Sequence, residues 1–389
     1  MQARRQFMAL VGGGFVLAAT AAARAGMYPD KAVEAWQAIS SDMEIRRWVL
    51  AHGLLAPNPH NRQPWIADLR SEGEITLICD GERLLPETDP FGRQILIGCG
   101  AFLELAALAA AERGYAVDIS LFPNGEPSLS ELPKGALVAR IKLNKSTAIK
   151  PDPLFAYIRS RHTNKESYES GKKIPAEHAK ALTLAASKFS ATAPALSGVL
   201  DDASKLQKMR EITRIAYEIE LTTPRTYLES AKLLRVGSRE IEQHRDGISI
   251  TGMMPRILSA VGLFDRFEVP VKGSANYKRT MDRWQPFETG SGYLWMATAG
   301  NTRKAQVECG RAYVRTHLLA TSLKIDMHPL SQAVQEFVEV KTQNQAMYAL
   351  LELDPANATL QMVARIGYGT QPAEGSPRRD LDKGIIVKA

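Results

Sequence analysis

Ile95-Leu96-Ile97-Gly98-Cys99-Gly100-Ala101-Phe102-Leu103-Glu104-Leu105-Ala106-Ala107-Leu108-Ala109-Ala110-Ala111-Glu112 is apolar almost all round and holds six alanines from Ala101 to Ala111. A helix without a polar face is buried on every side. The segment, entered through the turn Asp89-Pro90-Phe91-Gly92-Arg93, therefore predicts a core helix over Ile95 to Tyr115. Cys99-Gly100 opens its most apolar part, and a second Cys-Gly pair, Cys309-Gly310, starts another helix running through Leu323. Strand, Cys-Gly, Ala/Leu-rich helix and strand occur in both places, which reads as a duplicated unit. Two unrelated buried helices are the alternative.

Working outward, residues 30 to 55 carry Ala35, Trp36, Ile39, Ile45, Trp48, Val49 and Leu50 at helical spacing. A Pro- and Asn-rich loop, Ala56-Pro57-Asn58-Pro59-His60-Asn61-Arg62-Gln63-Pro64-Trp65, leads into a hairpin of Ile66 to Leu69 and Ile75 to Cys79. Val117 to Phe122 and Ala136 to Leu143 close a first half, residues 30–150. The second half, 151–389, has a helix over Ile174 to Ser187, a β-like run over Tyr293 to Ala299 and a strand over Met362 to Ile366. Residues 203–288, helical and charged with a turn over Gly247 to Met254, have no counterpart in the first half. They read as an insertion that forms a lid.

The 389 residues are 45% hydrophobic and 23% charged, which excludes disorder and collagen-like fibre. The formal charge is +7, but Arg4, Arg5 and Arg24 fall in residues 1–25, which contain no acid, and without them the surplus is four. So mild an excess, with no long basic runs, predicts no nucleic-acid partner. Residues 1–25 themselves read as an export signal. Arg4-Arg5-Gln6-Phe7-Met8 precedes a Gly- and Ala-diluted apolar segment and the cleavage pattern Ala23-Arg24-Ala25. The run is too short and too rich in glycine for a stable membrane anchor. Two adjacent Arg before x-Phe-Met resemble a twin-arginine signal, implying export of the folded chain by that machinery to the periplasm.

Cys79, Cys99 and Cys309 include no C-x-x-C, and the seven His show no metal-ligand spacing, so iron–sulfur, c-type haem and zinc sites lack their ligands. An oxidising compartment permits one disulfide without specifying it. Gly98-Cys99-Gly100 mimics part of a dinucleotide fingerprint, but Leu103 at the third glycine position blocks close helix–strand packing.

Three motifs carry chemistry. Arg161-His162-Thr163-Asn164-Lys165 sets a bidentate donor, a hydroxyl and an ammonium along an extended segment, which suits a phosphate and the polar edge beyond it; a solvated charged turn is the alternative. The amide side chains of the Pro57 to Trp65 loop suit a heteroaromatic edge, or only a structural turn. Gly367-Tyr368-Gly369 and Ser376-Pro377-Arg378-Arg379-Asp380 place paired arginines on a tail, either solvated or completing a phosphate clamp.

Taken together, R-H-T-N-K-E-S-Y with K-K-I-P-A-E, A-P-N-P-H-N-R-Q-P-W and R-I-G-Y-G…P-R-R-D-L resemble motifs of FMN-dependent nitroreductases. The D-P-F-G-R-Q-I-L-I-G-C-G and H-P-L-S-Q segments are similar to the Acg-type members, over roughly residues 40–389. The resemblance implies an α+β nitroreductase-like fold in which two fused halves form a pseudo-dimer within one monomeric chain. Because the phosphate motif occurs only in the second half and the Q-P-W loop only in the first, it implies one FMN per chain. By resemblance, Arg161 and Thr163 hold the FMN phosphate with Arg379, aided by Arg378. Lys165 reaches the N1/O2 edge, where a cation stabilises the reduced ring. Asn58, Asn61 and Gln63 contact the ring or ribityl chain, although Asn58 stands where the family has Ser. Pro329, Leu330 and Ser331, within His328 to Gln332, form the loop whose backbone N–H faces N5. The flavin carries the chemistry, so no catalytic side chain and no metal are expected. The implied activity is electron transfer to a small-molecule acceptor such as a nitroaromatic or quinone, the alternative being a protein that only holds FMN.

Overall fold

The computed structural model describes residues 29–37, 39–187, 195–251, 265–384 and 386–387. The stretch read as an export signal, residues 1–25, lies outside the described residues, as does Met254.

In the first half, helix α1 (Ile45–Gly53) leads to strands β1 (Trp65–Asp68) and β2 (Glu74–Cys79), the long helix α2 (Arg93–Glu112), and strands β3 (Tyr115–Leu121) and β4 (Leu137–Lys145). The second half repeats this order with α3 (Ala176–Ser187) and β5 (Ala195–Leu200). Between β5 and β8 (Gly292–Thr298) lie α4 (Ala203–Thr222), α5 (Pro224–Lys232), β6 (Leu234–Val236), α6 (Gly237–His244), β7 (Ile248–Ile250) and α7 (Ala275–Met281). The long helix α8 (Arg303–Ser322), β9 (Asp326–Pro329), α9 (Lys341–Leu350) and β10 (Thr359–Gly367) follow. The sheets match in topology: β1-β2-β4-β3 in one and β5-β8-β10-β9 in the other, with every one of these pairings antiparallel. The expected insertion thus interrupts the hairpin that in the first half is the short β1–β2 turn. It also contains a two-stranded parallel sheet, β6 with β7, which periodicity did not suggest because its strands are three residues long. Strand β11 (Ile386–Val387), from the end of the second half, joins the first half's sheet in parallel with β1.

Asp89 starts α2, its carboxylate accepting from the backbone N–H of Gln94 and Ile95 at 3.2 and 2.9 Å. The Thr302 hydroxyl caps α8 by accepting from Ala305 N–H at 3.1 Å. Helix α2 begins at Arg93, close to the expected Ile95, whereas α8 begins nearly two turns before Cys309-Gly310; each Cys-Gly pair sits within its helix where the two helices cross. A Cβ on Gly100 would lie 1.9 Å from the Val307 carbonyl oxygen, and one on Gly310 would lie 1.9 Å from that of Ile97. Only glycine permits so close a backbone approach. Arg93 and Arg303 are reciprocal in the same way. The first is buried and donates to the Val334 and Leu360 carbonyls of the second half, the Leu360 bond being 2.6 Å. The second donates to the carbonyls of Phe91, Ser128 and Glu131 in the first half at 2.6 to 2.7 Å. Reciprocal contact is the mark of a twofold interface.

One expected element is interrupted. The stretch read as a helix over residues 30 to 55 is a short turn over Asp30–Val33, a 3₁₀ turn over Glu34–Trp36 and then α1, whose first turn is capped by the Glu44 side chain. Ser40-Ser41-Asp42 favours local side-chain hydrogen bonds over helix, and spacing alone does not register that competition.

Candidate functional site

The two halves bring four segments together at the C-terminal end of α1: the 29–37 segment, the 57–64 loop, residues 161–168 and the 376–379 tail. Arg161 is buried, its guanidinium donating to the Leu55 carbonyl at 2.9 Å and meeting His317 Nδ1 at 3.4 Å, while His317 Nε2 lies 3.2 Å from the His162 carbonyl. These contacts imply an Nε2-protonated His317 whose Nδ1 accepts. Arg161 Nε has no hydrogen-bond partner. No carboxylate pairs with this guanidinium among the described residues, and the remaining residues include no Asp or Glu. Burial pushes its pKa down to about 10. A buried, uncompensated cation is costly, and an anion relieves the cost.

Arg378 lies beside it. Its guanidinium donates to the carbonyls of Leu54, Leu55 and Ala56 at 2.7 to 3.1 Å and to Asn61 Oδ1 at 2.9 Å. The Trp36 ring faces both guanidiniums, its centroid 5.7 Å from Arg161 Cζ and 5.0 Å from Arg378 Cζ, and its indole N–H donates to the Ser376 carbonyl at 2.8 Å. Outside Trp36 a cavity of about 720 Å³ opens between Arg159, His162 and Gly375. Burial and the two arginines push the His162 ring down to about 3, so it is neutral.

Arg379 does not join this cluster. Its side chain turns to the opposite side of the loop, donating to the Gln63 carbonyl at 3.0 Å and lying 3.9 Å from Asp80. The sequence expectation that Arg161 and Arg379 act together, with Arg378 as helper, is corrected: Arg378 is the neighbour. Successive residues of an extended tail point to opposite sides, and a dipeptide alone does not say which one faces in.

The 57–64 loop is strained, with His60, Asn61 and Gln63 at φ of 48°, 50° and 51°, and its amides hold it in that shape. Asn58 Oδ1 accepts from Gln63 N–H at 2.7 Å. Asn61 Nδ2 donates to the Pro377 carbonyl at 3.0 Å. Gln63 is fully buried, donating to the Arg245 carbonyl and accepting from Arg379 N–H, both at 2.8 Å. Asn61 and Gln63 are therefore ties to the tail and the insertion, while Asn58 braces the loop itself, its Nδ2 donating to the Ala56 carbonyl at 3.1 Å.

Thr163 and Asn164 run beside β9 through the Thr163–Met327 bridge. Lys165 reaches solvent, yet the protein around it lowers its pKa, and it lies close enough to His328 to help hold that buried ring neutral. Pro329 ends β9. Leu330 is buried and its N–H donates to the Val363 carbonyl, so that N–H is used by the sheet. The Ser331 hydroxyl meets Gln94 Oε1 of α2 at 3.4 Å, which places this loop against the first half. Cys79, Cys99 and Cys309 are free and buried. Trp36, His162 and His317 were not anticipated as site residues: Trp36 read as part of a helix face, and none of the three rings carries a local signature of its own.

No family model matches the chain. It is 24% identical over 354 residues to "Putative NAD(P)H nitroreductase Rv3131" of Mycobacterium tuberculosis, covering 88% of this chain and 92% of that one. It is 39% identical over 69 residues to "Putative NAD(P)H nitroreductase acg" of the same organism, 18% of this chain and 20% of that one. Among solved structures it is similar to the FMN-dependent nitroreductase NfnB from Mycobacterium smegmatis in complex with NADPH. That likeness has 16% identity and a TM-score of 0.38, covering 59% of this chain and 95% of that one. It is also similar to iodotyrosine deiodinase bound to FMN and 3-iodo-L-tyrosine, at 12% identity and a TM-score of 0.37, covering 60% and 97%. Rv3131 and this chain are homologues across nearly their full lengths.

Proposed function

We propose that this homologue of the mycobacterial nitroreductase-named proteins is an FMN-dependent oxidoreductase with one flavin per chain, passing electrons to a small acceptor such as a nitroaromatic or quinone. The observation that carries the reading is Arg161, a buried guanidinium with an unpartnered Nε and no carboxylate, in a motif whose other cation, Lys165, likewise has no ion pair among the described residues. A phosphate supplies the acceptor that Arg161 lacks.

When bound, FMN supplies hydride and electron transfer, and the protein supplies binding, orientation and electrostatics. Arg161 and Thr163 hold the phosphate, with Arg378 fixing the α1 end beside it. Lys165 would supply the positive charge that stabilises the reduced ring. The loop of Asn58, Asn61 and Gln63 from the first half and the segment Pro329-Leu330-Ser331 from the second would contact the bound cofactor. The matching halves descend from the two subunits of a dimer, and complementary loss of motifs leaves one working site in a monomeric chain. Residues 1–25 export the folded, loaded chain to the periplasm through the twin-arginine machinery, and the insertion covers the site as a lid.

Flavin absorbance per polypeptide tests the reading. One flavin per chain, reduced by dithionite and reoxidised by a nitroaromatic or quinone, is expected. A colourless protein that takes up no FMN on reconstitution refutes it, and two flavins per chain refute the single-site assignment.

A further inference from the structure

We propose that Arg62, Arg83, Arg235 and Arg379 form a second anion site, distinct from the Arg161 cradle, that takes the phosphate group of a small phosphorylated molecule. The four side chains come from the 57–64 loop, the turn after β2, the insertion and the tail, and they share two carboxylates, Asp80 and Asp246. Asp246 lies 2.8 Å from Arg235, 2.9 Å from Arg83 and 3.6 Å from Arg62. Asp80 lies 3.3 Å from Arg83 and 3.9 Å from Arg379. Four guanidiniums against two carboxylates leave two positive charges, which balance the two negative charges of a phosphomonoester dianion.

Donors are left over as well as charge. Arg235 uses all three of its nitrogens on Asp246 and the Lys232 carbonyl. By contrast Arg83 Nη2 and Arg379 Nε and Nη2 meet no acceptor among the described residues, and Arg62 Nη1 has only the 3.6 Å contact. Each of the four side chains keeps 11 to 21% of its surface exposed, so an anion can reach them from solvent. Burial, and after it the neighbouring guanidiniums, lowers the pKa of Arg62 and takes that of Arg379 to about 10. Planar forks from several directions match a phosphate better than one carboxylate. The site sits against the loop that carries Gln63 but faces away from Arg161, so it does not rest on the flavin assignment.

Calorimetric titration of the full chain, flavin bound, with inorganic phosphate at constant ionic strength tests the proposal. One phosphate per chain is expected, weakened at least tenfold by Arg83→Gln and unchanged by Arg161→Ala when both variants are held at saturating FMN. Arg379→Gln, which removes two of the donors without an acceptor, serves if Arg83→Gln fails to fold. NADP⁺ against NAD⁺ identifies the source. Tighter NADP⁺ binding that Arg83→Gln abolishes assigns the site to a dinucleotide 2′-phosphate, and equal binding assigns it to a free phosphomonoester. Absence of phosphate binding, or binding lost with Arg161→Ala and kept in both Arg83→Gln and Arg379→Gln, overturns the proposal.

Discussion

Replacing Gly100 by alanine sets two effects against each other. In an isolated helix alanine is favoured over glycine by about 1 kcal/mol. Here the added methyl would stand 1.9 Å from the Val307 carbonyl oxygen, against roughly 3.5 Å for an ordinary contact, so α2 and α8 must part by about 1.5 Å. The obstacle is backbone and has no rotamer to change. Forcing extra atoms into a packed core costs about 1–3 kcal/mol, and parting two 20-residue helices places this case near the top of that range. The expected net loss is about 2 kcal/mol. Gly310→Ala meets the Ile97 oxygen at the same 1.9 Å and should cost the same. Once the helices have parted, the second methyl meets less resistance, so the double variant should lose less than the sum of the singles. Urea unfolding followed by far-ultraviolet circular dichroism measures all three, with unchanged m-values required for comparison. Because the Arg161 site lies between the halves, flavin retention should fall in parallel. A Gly100→Ala protein that is more stable than wild type refutes the close approach, and strict additivity of the pair refutes its reciprocity.

Other expectations follow from the same contacts. Arg161→Ala removes the uncompensated cation and should raise the Kd for FMN at least tenfold by equilibrium fluorescence, while leaving stability of the flavin-free protein equal or higher; an unchanged Kd refutes the phosphate assignment. Trp36→Ala uncovers Arg161 and Arg378, so FMN should dissociate several-fold faster in a stopped-flow chase, and an unchanged rate would mean that the ring covers nothing. Acidification should be destabilising. Burial holds His52 at about 4, His162 at about 3, and His317 and His328 well below their ordinary value. Their contribution is therefore complete above the unfolded pKa of about 6.5 and is lost as pH falls, by about 2 kcal/mol at pH 5 for each of His52 and His162. Asp89, raised to about 6 by burial, acts in the opposite direction and offsets about 1 kcal/mol of that loss. Urea midpoints should thus drop between pH 7 and pH 5, and a flat profile would contradict the neutral buried rings.

Periodicity and composition determined a good deal without coordinates. A stretch with no polar face had to be a core helix, and α2 is buried along nearly its whole length. The repeat of strand, Cys-Gly helix and strand was legible because helix and strand patterns survive divergence that erases identity. The R-H-T-N-K and Q-P-W motifs were legible because each is a local run of chemistry-bearing side chains. What spacing could not supply was direction and distance. That both Cys-Gly pairs lie at one crossing rather than at helix starts depends on how two remote helices meet. That Arg378 and not Arg379 joins Arg161 depends on which way a tail turns after crossing to the other half. Trp36 reaches two arginines more than a hundred residues away, and Asp246 in the insertion is shared by arginines of three segments, contacts that no local window contains. Local pattern follows from each residue's own preference for a face or a dihedral. The pairing of buried charges is decided only when the chain has closed and water has been excluded, because only then does an unmatched cation cost enough to matter.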